Sequence, residues 1–139
     1  MSDLAIFNNN QGQHFNSTIQ LESTQDKNRV LRALNMAESL AQAVPAGVPF
    51  EVCDVFQTPG TRRSRIEGVD DFPCTNTYLL TPDGHAYMSQ SDGIARSIDM
   101  LLAIYPQCGR DTERGSLTVM VHSKDLPNGN SLKSIVPVD

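Results

Sequence analysis

The sequence predicts a mainly β domain: a small barrel of five short strands with one helix between the third and fourth, preceded by an extra helix and a polar N-terminal arm. Three observations lead there. Apolar and polar residues alternate between residues 116 and 121, the period of a half-buried strand. Pro82-Asp83-Gly84 and Asn128-Gly129 are turn signals, each flanked by strand-like runs. Two other stretches space their apolar residues by three and four, the period of a helix face.

Residues 1–23 form the arm, crowded with Asn8, Asn9, Asn10, Gln11 and Gln13. Its apolar points, among them Phe7, Phe15, Ile19 and Leu21, are too sparse for a core of their own. Two readings stand: a partly ordered arm, or one buried by self-association with a neighbouring subunit. Ser23 or Thr24 caps the extra helix, expected at about 24–44, where Val30, Leu31, Leu34, Ala37, Leu40, Ala41 and Val44 make one apolar stripe. Pro45 and Gly47 end it.

The barrel is expected over about 49–137, so that residues 24–139 make a single domain. Its first strand is Phe50 to Phe56, and Pro59-Gly60 then turns the chain into a loop holding Arg62, Arg63 and Arg65. Strands two and three, Cys74 to about Thr81 and His85 to Ser89, read as a hairpin across Pro82-Asp83-Gly84. Ser91 caps the inserted helix, with Ile94, Ile98, Leu101, Leu102 and Tyr105 on its buried face. Leu117, Val119 and Val121 mark the fourth strand, and Ser131 to Val136 the fifth.

With 139 residues the chain can bury a core without a metal or disulfide. No apolar run approaches the roughly 18 residues of a membrane span, and the N-terminus does not look like a signal peptide. The three cysteines contain no C-x-x-C pair and fit a reducing compartment, so the expected location is cytoplasmic, in a bacterial host cell. A net charge of -5 argues against a simple duplex binder, but a single-strand binder needs only local cations. His14, His85 and His122 are scattered, no phosphate-binding glycine loop is present, and Cys53 and Cys74 read as core residues. No metal, cofactor or catalytic residue is expected; the chain does not read as an enzyme.

Strand, strand, strand, helix, strand, strand is the element order of the OB-fold. Three segments carry a further resemblance: Asn76 to Ser89 with its Asp-Gly turn, the helix Ser91 to Leu101, and the Asn-Gly hairpin from Ser116 to Ile135. Together with the opening Ile6-Phe7-Asn8-Asn9, they resemble the OB-fold single-stranded DNA-binding proteins of bacteriophages and conjugative plasmids or other mobile elements. The chain departs from the pattern in its extra helix, and it lacks the acidic, Phe-ended tail of many bacterial relatives. The resemblance implies a sequence-tolerant coat for single-stranded DNA, with RNA as a second candidate, acting in replication or transfer. Phe56, Tyr78 and Tyr87 would stack on bases, and Arg62, Arg63, Arg65, Lys124 and Lys133 would contact phosphates. The competing expectation is a protein-interaction module on an OB-like barrel, a replication or transfer accessory factor. The acidic balance and the lack of tryptophan favour it.

Overall fold

One extended run, residues 50–62, is shared between two sheets in the computed structural model, which describes residues 16–64 and 66–139. Its elements in order are α1 (Thr24–Met36), β1 (Glu38–Ser39), α2 (Leu40–Ala43), β2 (Phe50–Val52), β3 (Asp54–Arg62), β4 (Phe72–Leu80) and β5 (Ala86–Ser89). There follow α3 (Asp92–Ile104), a 3-10 turn at Cys108–Asp111, β6 (Leu117–Asp125) and β7 (Ser131–Pro137). One sheet has the order β1-β5-β4-β3 and the other β2-β6-β7. The break falls at Cys53. Its N–H donates to the Leu80 carbonyl (2.8 Å), while its own carbonyl turns aside to accept from Gly109 (3.0 Å). Val52 is thereby left paired with Leu117 in one sheet, and Asp54 with Leu80 in the other.

The expected closed barrel does not form. Closure needs β5 to pair with β7, and each of those edges is engaged elsewhere over part of its length. Beside β5 lies the two-residue parallel strand β1, Glu38 against Tyr87 and Ser39 against Met88. Beside β7 lies α3: the Ser97 hydroxyl accepts from the Ile135 N–H (2.8 Å), and a Cβ on Gly93 would collide with the Lys133 carbonyl oxygen. The described residues therefore make a mixed α/β domain of two open sheets, not an OB-fold barrel.

Other expectations shift with it. The extra helix stops at Met36, because Ala37 is extended (ψ 138°) and feeds β1. Val30 and Ala33 are buried on it, whereas Leu31 and Leu34 face outward. Pro59-Gly60 is no turn. β3 runs straight through it, with Pro59 opposite Thr75 and Gly60 opposite Cys74.

Helices cover both faces of β3, which is why Asp54 to Thr58 are buried without alternation. Val55 belongs to the larger core, with Leu79, Ile94, Ile98 and Val119. Phe56 belongs to the smaller one, with Val30, Ala33, Tyr78 and Leu80. Ser17 bridges Phe56, Thr18 N–H donates to the Val55 carbonyl (2.9 Å), and Gln57 N–H donates to the Asn16 carbonyl (2.8 Å). The described end of the arm is thus bound to its own chain, against the expectation of docking on a neighbouring subunit. Pro59, with no N–H to offer, follows next along this edge. Phe7, Phe15 and the rest of residues 1–15 lie outside the described residues.

Candidate functional site

Because the sheets do not close, a cleft of about 1090 Å³ lies between them. Arg62, at the end of β3, and Arg63 stand on one side, and Leu132 and Lys133 of β7 on the other. Ser89, Gln90 and the first turn of α3 line it between them, while half-buried Met88 supplies apolar surface. The Gln90 amide donates to the Thr61 carbonyl (3.3 Å) and to Asn76 Oδ1 (3.0 Å), so the end of β3 is fastened to the exit of β5. Ser91 caps α3 by accepting from the Ile94 N–H (3.3 Å), which directs the positive end of the helix dipole toward the cleft.

The residues expected to contact DNA separate into three groups. Phe56 is fully buried and stacks on Tyr78, centroids 4.6 Å apart and planes 11° from parallel. Tyr78 is buried too, and desolvation pushes its phenol above the ordinary range, with a hydrogen bond to Thr58 acting the other way. Tyr87 is half-buried and meets Phe50 edge-on at 5.8 Å. These rings pack against other protein rings instead of forming a stacking platform. Of the cations, Arg62, Arg63 and Lys133 come together at the cleft, whereas Lys124 is exposed on β6 away from it. Arg65 lies outside the described residues.

A buried ionic centre escaped the sequence reading. Asp54, with 5% of its side chain exposed, takes Arg29 at 2.7 Å and Arg110 at 3.5 Å. The Thr18 hydroxyl donates to the same carboxylate (2.8 Å). A carboxylate in the apolar run Val52 to Phe56 was the available signal, because a buried charge must find partners. Arg114 pairs with Glu51 at 3.3 Å on the surface. Arg29, Arg110 and Arg114 are thus taken up in ion pairs within the chain, and among the described residues no continuous basic surface tracks a phosphate backbone. With the open sheets and the packed rings, this overturns the DNA-coating mechanism and its nucleic-acid partner.

Cys53, Cys74 and Cys108 are free thiols. Burial pushes the Cys108 thiol from an ordinary 9.0 up to about 12, and burial raises Cys53 and Cys74 as well. The folded state then holds these protons more tightly than the unfolded chain does. Their contribution is fully present below about pH 9 and is lost as the pH rises toward 12. The urea midpoint is expected to fall between about pH 8 and about pH 10.5, and to fall less in Cys108→Ala. A level midpoint in the parent protein would contradict this.

Among the described residues, no group of three or more His, Cys, Asp and Glu is placed to hold a metal ion, and no helix is long and apolar enough to cross a membrane. No family model, curated protein or solved structure matches the chain, so the resemblance to phage and plasmid proteins gains no support from these comparisons.

Proposed function

We propose that the protein is a non-catalytic protein-interaction module that receives part of a partner in the cleft between its sheets. The observation that carries this reading is the cleft itself, bordered by sheet ends and holding charged and apolar side chains together. Its volume of about 1090 Å³ lies above the roughly 300–1,000 Å³ usual for small-ligand pockets, which favours a piece of polypeptide. Residues 24–139 act as one binding unit. The free thiols are consistent with work in the cytoplasm.

The test is an array of random peptides probed with the full chain, alongside single-stranded oligonucleotides at the same ionic strength. Peptides are expected to be retained, and Met88→Glu is expected to release most of them by placing a charge in the cleft. Retention of oligonucleotides alone, or peptide binding indifferent to Met88→Glu, would defeat the proposal.

A further inference from the structure

We infer that the cleft takes an extended acidic segment of its partner, added as a strand to the free end of β7, with its carboxylates on Arg62, Arg63 and Lys133. This rests on the protein-interaction reading and names the chemistry of the partner.

Charge is the first ground. The chain carries -5 overall, yet among the described residues the charged ones lining the cleft are Arg62, Arg63 and Lys133 against Asp92 alone. Arg29, Arg110 and Arg114 are held in ion pairs within the chain, while these three cations make none among the described residues. The first turn of α3 adds its partial positive charge on the same side. An acidic protein with an unneutralised positive cleft selects a negative occupant.

Backbone direction is the second ground. On an edge strand, the groups of every other residue point away from the sheet. Ile135 points its N–H outward to Ser97, so Lys133 and Ser131 point their groups the same way. Gly93 covers the Lys133 carbonyl, whereas the Lys133 N–H and both backbone groups of Ser131 have no partner on that edge among the described residues. An extended peptide supplies the missing donors and acceptors by strand addition. Side chains on one face of such a strand meet the three cations, and those on the other meet Met88 and Leu132. Nucleic acid would bring the same charge, but none of the described residues lining the cleft is aromatic, so they offer no ring for base stacking.

The experiment is fluorescence anisotropy on the full chain with labelled peptides of about eight residues, a typical strand length. One alternates Glu or Asp with Val, Ile or Leu. A second replaces the acids with Lys. A third keeps the acidic sequence but N-methylates alternate amides, which removes strand pairing. Oligo-dT and polyglutamate complete the set. The acidic peptide is expected to bind, to weaken with salt, and to lose about tenfold or more in R62E, R63E or K133E. The Lys and N-methyl peptides are expected to bind at least about tenfold more weakly.

Equal binding of the acidic and Lys peptides, or full affinity after N-methylation, would overturn the inference. So would oligo-dT or polyglutamate binding as tightly as the alternating peptide. Neutral or basic array peptides released by Met88→Glu would leave the interaction module standing while removing the acidic strand. An array that retains nothing would remove both.

Discussion

Phe56→Ala is expected to lower stability by about 4 kcal/mol, within the range for deleting a fully buried aromatic side chain. The ring has 0% exposure and lies against Tyr78, in the smaller core that also holds Val30 and Ala33 of α1. Removal costs the transfer free energy of the ring, and adds a cavity cost because β3 and β4 are paired along their length and cannot collapse inward. Urea denaturation followed by far-UV circular dichroism measures the loss, with the slope of the transition checked for constancy. Phe56→Leu keeps most of the volume and is expected to cost less than half as much, which covers the case in which the alanine variant does not fold. A loss under about 1 kcal/mol in the alanine variant would mean that the ring is not a core residue.

Asp54→Ala is expected to cost about 3 kcal/mol, at the low end for breaking a buried ion pair by removing one partner. Two features make Asp54 the keystone of its surroundings. Its carboxylate joins α1 through Arg29, the 3-10 turn through Arg110, and the arm through Thr18. Without it, Arg29 keeps a positive charge that is only 24% exposed and has lost its closest partner. A double-mutant cycle separates the contributions. Coupling to Arg29, at 2.7 Å, is expected to exceed coupling to Arg110, which is 3.5 Å away and 46% exposed. Equal couplings, or a cost for Asp54→Ala under about 1 kcal/mol, would show that the network is decorative.

The elements legible in the sequence were those with a local signature. The Asp83-Gly84 and Asn128-Gly129 turns and the Ser91 cap act within a few residues, and the structure places β4–β5, β6–β7 and α3 around them. Elements depending on distant partners were not legible. β1 has two residues and no periodicity; it exists because β5 offers it an edge. Pro59-Gly60 carries a turn signal, yet β3 passes through it with its ladder to β4 intact, because Pro59 lies on the side away from that ladder. Neighbouring Tyr78 and Leu79 belong to different cores, and both are buried because helices cover both sides of the sheet. At the site, the basic character of Arg62, Arg63 and Lys133 was visible along the chain, but their meeting across a gap was not. That gap depends on the missing β5–β7 pairing, which no local residue pattern encodes.

The crossing at Cys53 has a consequence for the lengths that related chains can adopt. Residues 50–62 serve two sheets in succession, so one residue inserted or deleted there would rotate the side chains of one sheet to the opposite face while the other kept its alignment. Such length changes are costly in that run, whereas the β6–β7 turn around Asn128-Gly129 lies in solvent and can lengthen at small entropic cost. Relatives of this protein should therefore keep a constant count of residues from Phe50 to Arg62 and vary at the hairpin tip.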